Sequence, residues 1–197
     1  EVYQEKYMNV DLYSDAIDFF CNETAKSGFE ILDIACGPGN ILKNIENRNG
    51  GFQLTGIDLS VEMVRLAKVN VPSATIIQGD CRKLARFTKQ YDGVICNFAI
   101  PYLDMNETIQ LIENISKKTK IDGLFLLGFV KGEYKNSGIV RSSTGDEIFV
   151  HYYDPSFIKE LIEKFRFAVL KAMEFQSPNP GQSEQDILIV SKKLNGL

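Results

Sequence analysis

Two glycines placed directly after a short apolar run, Gly37 and Gly39, constrain this chain more than any other stretch. Residues 29 to 40 read Phe-Glu-Ile-Leu-Asp-Ile-Ala-Cys-Gly-Pro-Gly-Asn. Phe29, Ile31, Leu32, Ile34 and Ala35 have the pattern of a strand buried on both faces. Asn40 to Ile45 then resumes with helical spacing. A strand, a tight turn and a helix start place a ligand against bare backbone, because glycine admits unusual dihedrals and has no side chain to hold the ligand off. The first unpaired N–H groups of the helix face the same space.

The rest of the chain is spaced as alternating strands and helices. Phe52–Leu59 reads as a second strand ending at Asp58, and Ser60 as the N-cap of a helix over 61–68. Thr75–Gln78 is a third strand, Tyr91–Ala99 a fourth, Thr108–Lys118 an amphipathic helix and Gly123–Val130 a fifth strand. Such alternation predicts a parallel sheet covered by helices on both faces. It stops after residue 130. Ile139–Ser143 and Glu147–Tyr153 around Thr144-Gly145-Asp146 predict a hairpin, and Asp154-Pro155 opens a helix through Phe165. Phe167–Gln176 and Asp186–Lys192 are joined without a helix, so the last pair is expected to be antiparallel. Upstream, residues 3–26 read as a helix with Tyr7, Tyr13, Ile17 and Phe20 at spacings that can share one face.

Composition excludes several classes. With 197 residues, 44% hydrophobic and 24% charged, the chain suits one ordered domain. A net charge of −4 disfavours a general nucleic-acid surface, and Lys117-Lys118-Thr119-Lys120 is expected to be a solvated helix end. No apolar stretch reaches bilayer length and no charged-then-apolar leader opens the chain, so no membrane partner is expected. Cys21, Cys36, Cys81 and Cys96 lack Cys-x-x-Cys spacing and there is one histidine, so no metal is expected. Three of the four lie in or at the end of expected strands and read as small buried apolar residues, consistent with a cytoplasmic location.

A dinucleotide turn has a third glycine, and here that position is Leu42. Asp33-Ile34-Ala35-Cys36-Gly37-Pro38-Gly39 instead resembles the first motif of the class I S-adenosylmethionine-dependent methyltransferases. The resemblance extends through Gly56-Ile57-Asp58-Leu59-Ser60, Gln78-Gly79-Asp80, Tyr91-Asp92-Gly93-Val94-Ile95 and Asp122-Gly123-Leu124-Phe125. It implies an α/β, Rossmann-like three-layer sandwich whose seven-stranded, mostly parallel sheet has an antiparallel last strand. It also implies S-adenosyl-L-methionine as cofactor. Asp58, 21 positions after Gly37, would accept hydrogen bonds from both ribose hydroxyls. Asp80 would meet the adenine amino group, and the Cys81 N–H a ring nitrogen. Met63, or its neighbour Leu59, would cover an adenine face. Asn97 and Phe98 would approach the methionine portion, while Ala35, Cys36, Gly37, Gly39 and Asn40 form the turn. Asp33 would brace that turn and the cofactor's ammonium, and Tyr13 would belong to a lid over the cofactor.

The acceptor is less constrained. Asn97-Phe98-Ala99-Ile100-Pro101-Tyr102 departs from the Asn/Asp-Pro-Pro-Tyr signature of amino-group methylation, leaving the nucleophile open. Tyr102, Tyr134, His151 and Tyr153 are the expected lining of a small-molecule acceptor pocket, and no residue is assigned as catalytic. Residues 1–197 are read as one methyltransferase domain, with 1–28 a helical lid and 131–153 a hairpin insertion. Two rivals stand beside this reading. One is a protein that binds the cofactor as a sensor. The other is a nicotinamide-dependent oxidoreductase, disfavoured by Leu42 and by the missing second nucleotide-binding half.

Overall fold

The computed structural model describes residues 11–23, 28–48, 51–141, 145, 147–176 and 185–195. The expected features at Tyr7, Asn49-Gly50, Thr144, Asp146 and 177–184 lie outside them. Nine strands are described: β1 (Glu30–Ile34), β2 (Gln53–Asp58), β3 (Thr75–Gln78), β4 (Tyr91–Asn97), β5 (Thr119–Val130), β6 (Gly138–Arg141), β7 (Glu147–Val150), β8 (Phe167–Gln176) and β9 (Gln185–Lys193). The helices are α1 (Ser14–Glu23), α2 (Asn40–Glu46), α3 (Val61–Asn70), α4 (Met105–Lys118) and α5 (Pro155–Lys164).

Seven strands form one sheet in the order β3-β2-β1-β4-β5-β9-β8, and β6–β7 form a separate antiparallel pair. Only β9 runs against its neighbours, as the helix-free connection before it required. The apolar runs fill both faces because alternate residues point opposite ways. Ile31, Ile95, Leu126 and Leu188 pack with Ile17 and Phe20 of α1, Leu42 of α2 and Ala67 of α3. Leu32, Val94, Phe125 and Ile189 pack with Ile112 of α4 and Ile162 of α5. Close approach on the first face depends on Gly93, where an added Cβ would lie 2.7 Å from the Phe20 ring. Cys21, Cys36 and Cys96 are buried and Cys81 is half-buried.

The chain leaves β1 toward β2 on one side, and returns from β3 to β4 on the other. That reversal opens a crevice at the carboxyl ends of β1 and β4, where α/β sheets take ligands. The opposite end is closed by charge. Lys120 Nζ bonds Asp92 Oδ1 at 3.0 Å and Glu30 Oε2 at 3.3 Å, and Lys89 reaches Glu30 at 2.6 Å.

Several element bounds and one charge assignment differ from expectation: β4 ends at Asn97 and β7 at Val150, two and three residues early. Helix α4 starts at Met105 because Asp104 and Glu107 form a capping box ahead of the apolar stripe. Strand β5 starts at Thr119, which pairs with Tyr91 before a register shift brings Leu124 beside Gly93. Lys118 is not solvated: it is buried and its ammonium donates to the Phe87 carbonyl. Among the described residues no helix is long and apolar enough to cross a membrane.

Candidate active site at the strand tips

The glycine turn is held by the strand beside it. Cys36 N–H donates to the Ile57 carbonyl at 3.0 Å, continuing the β1–β2 ladder two residues past the end of β1. Ala35, Gly37 and Gly39 then take positive φ, at 56°, 56° and 84°, a geometry glycine adopts without strain. Gly37 N–H donates to Asp58 Oδ2 at 2.8 Å, while Ser60 N–H donates to Oδ1 at 2.9 Å. One carboxylate therefore joins the turn to the start of α3. A Cβ on Gly37 would meet nothing within 4 Å, so the space before the turn is open. Asn40 begins α2 with its Oδ1 accepting from Ile41 N–H at 2.8 Å.

A polar row lies on the face covered by α1, α2 and α3. Asp33 pairs in register with Gly56 and Ile95, so Asp33, Asp58, Asn97 and Asp186 all project to that face. Asp33 is buried and its Oδ2 has no hydrogen-bond partner among the described residues. Burial, and then the nearby Asp58 charge, hold its carboxyl well above the usual carboxylate range. Asn97 lies against Gly128, where an added Cβ would stand 2.8 Å from Oδ1, and both amide atoms are buried without a hydrogen-bond partner among the described residues. Phe98 has φ 58° and donates its N–H to the Gly128 carbonyl at 2.8 Å.

Tyr13 closes this row. Its hydroxyl donates to Asp186 Oδ2 at 2.6 Å, and its ring lies 5.4 Å from both Phe98 and Phe175. Burial, followed by the Asp186 bond and charge, raises the phenol far above its ordinary pKa. Asp186 was absent from the expected site. Its partner is 173 positions away, and the only local signal is a buried carboxylate at the head of an apolar strand.

On the other flank, Leu59 is exposed and Met63 half-buried, leaving apolar surface beside Asp58. Asp80 accepts from Arg82 N–H at 2.9 Å and pairs with its guanidinium at 2.9 Å, which keeps the carboxyl below its usual range. Its carboxylate is thus a turn cap as the structure stands. Cys81 follows half-buried, its thiol pushed up to about 11 by burial. A depression of about 360 Å³ lined by Gly79, Asp80, Lys83, Arg86 and Phe87 opens beside it.

Comparison with known proteins gives this arrangement a lineage. Residues 31–123 match the family model described as a methyltransferase domain. The chain is 35% identical over 119 residues to YqeM of Bacillus subtilis (strain 168), named as a methyltransferase, covering 58% of this chain and 47% of that one. A crystal structure of an S-adenosylmethionine-dependent methyltransferase from Clostridium acetobutylicum superposes with TM-score 0.76 at 16% identity, over 98% of this chain and 97% of that one. Residues 31–123 carry a methyltransferase domain, on the fold of the S-adenosylmethionine-dependent methyltransferases. A ubiquinone biosynthesis O-methyltransferase of Rickettsia bellii is a further relative, 31% identical over 160 residues, with 70% of this chain and 60% of that one covered. The chain spans about half the length of the first relatives it matches, 47%, 57% and 50%.

The four residues expected to line an acceptor pocket separate into two groups. Tyr102 is 61% exposed, Tyr134 is exposed and His151 half-buried, with the Tyr134 and His151 rings stacked at 5.6 Å. Tyr153 is 1% exposed, and this departs from expectation. Its hydroxyl donates to the Leu103 carbonyl at 2.7 Å and lies 2.8 Å from Thr108 Oγ1, so it joins the turn after β4 to α4. Burial raises this phenol to about 12. The Tyr153→Phe variant is expected to lose about 1–2 kcal/mol of stability in denaturant unfolding, with cofactor affinity unchanged. A normal midpoint with impaired ligand binding would return Tyr153 to the site.

Proposed function

We propose that this chain transfers a methyl group from S-adenosylmethionine to a small-molecule acceptor. The observation that carries the reading is the Asp58 carboxylate bonded to Gly37 N–H beside a turn whose front is open. The residues present suit such a cofactor. Asp58 has lone pairs left for ribose hydroxyls, and Leu59 and Met63 offer apolar cover to a purine. The unpaired Asn97 amide and the Asp33 carboxyl offer hydrogen-bonding capacity suited to an amino-acid end. Gly37 offers backbone with open space before it, while Gly39 lets the turn pack closely against Ala67 and Val71.

When bound, S-adenosylmethionine supplies a sulfonium-borne methyl that is already electrophilic. The chain's part is then to hold the acceptor in line and to exclude water, an orientation effect of roughly 7–11 kcal/mol in favourable cases. Tyr13, Phe98 and Phe175 form the apolar cover over the polar row that this requires. No base is assigned. In this reading residues 1–28 supply the lid and residues 131–153 the acceptor border.

Calorimetric titration with S-adenosylmethionine, its demethylated product and NAD tests the assignment. Saturable binding of the first two and none of NAD is expected, and preference for NAD would overturn it. Binding without any demethylated product formed in the presence of a broad acceptor panel would favour the sensor instead.

A further inference from the structure

The exposed large apolar residues are not scattered evenly. Ile139 and Phe149 are direct cross-strand partners in the β6–β7 pair, and they remain 66% and 50% exposed. His151 lies two residues beyond Phe149 with its ring 4.8 Å away, and Tyr134 stacks on that imidazole at 5.6 Å. His151 N–H donates to the Pro101 carbonyl at 2.7 Å, and Tyr134 Oη accepts from Met105 N–H at 3.3 Å. The hairpin is therefore anchored to the turn that leaves β4, four residues past Asn97 and three past Phe98. Tyr102, next in sequence to Pro101, is 61% exposed beside that anchor.

We propose that this surface, Tyr102–Tyr134–His151–Phe149–Ile139, seats the methyl acceptor, and that the acceptor is an uncharged aromatic small molecule. The proposal rests on the methyl-transfer reading above. Contiguous exposed apolar surface is costly to leave in water, and it marks binding sites. Three things select the ligand class. The surface is built from rings, which take another ring in offset or tilted packing, worth about 0.5–1.5 kcal/mol beyond burial. The charges beside it are already paired: Glu133 with Lys135 at 2.5 Å, Arg141 with Glu147 at 3.8 Å, and Lys131 with Glu174 at 3.1 Å. That leaves little net field to draw in a phosphate or carboxylate. Finally, the strip is continuous with the end of β4, where the polar row begins, so a flat molecule lying on it can present one edge to that row.

The test uses the full chain saturated with demethylated cofactor, and two fluorescent probes sharing one ring system, 2-naphthol and the anionic 2-naphthoate. The sequence holds no tryptophan, so excitation beyond the tyrosine band reports the probe alone. Naphthol is expected to bind about tenfold tighter than naphthoate, and Phe149→Ala and Ile139→Ala to weaken it about fivefold each with cofactor affinity unchanged. Equal or tighter naphthoate binding, or no effect of Phe149→Ala, would overturn the proposal. So would a dimer in sedimentation that Phe149→Ala converts to monomer, because the surface would then be shared between copies. Titration of the same samples with demethylated cofactor separates the two readings. If cofactor binds and the probes fail, only the acceptor seat falls; if cofactor does not bind, the methyl-transfer reading falls first.

Discussion

Asp58→Ala is expected to weaken S-adenosylmethionine binding about a hundredfold, about 2.7 kcal/mol. Two losses combine. A charged acceptor for ribose hydroxyls disappears, and hydrogen bonds to charged groups are worth about 1.5–3 kcal/mol each. The Gly37 N–H and Ser60 N–H groups also lose their shared partner, so the turn and the start of α3 are no longer tied to one another. Asp58→Asn keeps one acceptor oxygen and should fall between alanine and wild type. Calorimetry on both variants, with circular dichroism to establish folding, provides the measurement. Wild-type affinity in a folded Asp58→Ala protein would remove the ribose assignment.

Asp33→Asn should move stability and binding in opposite directions. The Asp33 carboxyl is buried without a partner on Oδ2, and its folded-state pKa lies above the unfolded value near 4. Such a group adds stability that is complete below the unfolded pKa and is lost as pH rises through the folded pKa. Each pH unit over which the folded protein alone keeps the proton is worth about 1.4 kcal/mol. The asparagine variant lacks that slope. At pH 8 it should therefore melt higher than the wild type by about 3–6 °C. Cofactor should bind it about tenfold more weakly, because no carboxylate faces the incoming ammonium. The wild type should release a proton on binding near neutral pH, seen as different apparent heats in buffers of different ionisation enthalpy, and the variant should not. A melting temperature with the same pH slope in both proteins would show that Asp33 does not carry the buried proton.

The sheet was legible because its signals are local. Thr75–Gln78 is a run of four residues fenced by Pro72-Ser73 and Gly79-Asp80, and β3 has those bounds. Ser60 caps α3 through Met63 N–H, and Asp154 caps α5 through Ser156 N–H, each within three residues of the signal. What escaped was the polar chemistry of distant partners. Lys118 reads as a surface lysine until Phe87, 31 positions back, lends it a carbonyl. Tyr153 reads as one of several tyrosines near a hairpin, but packing against Phe157 and bonding to Leu103 place it in the core. Asp186 is plain in sequence because its importance lies in Tyr13, at the far end of the chain. Asp58 could be singled out because the distance between its strand end and the glycine turn is fixed by the parallel β1–β2 register.

The contact between Phe20 and Gly93 bears on how such a site admits its ligands. Because position 93 carries no side chain, the Phe20 ring rests on the strand itself, and α1 rides low over the sheet. Tyr13, immediately before α1, inherits that height above Phe98 and Asp186. One extra carbon at position 93 would raise the roof without altering any atom assigned to the ligand. Entry and escape rates could thus diverge between relatives that keep identical contact residues.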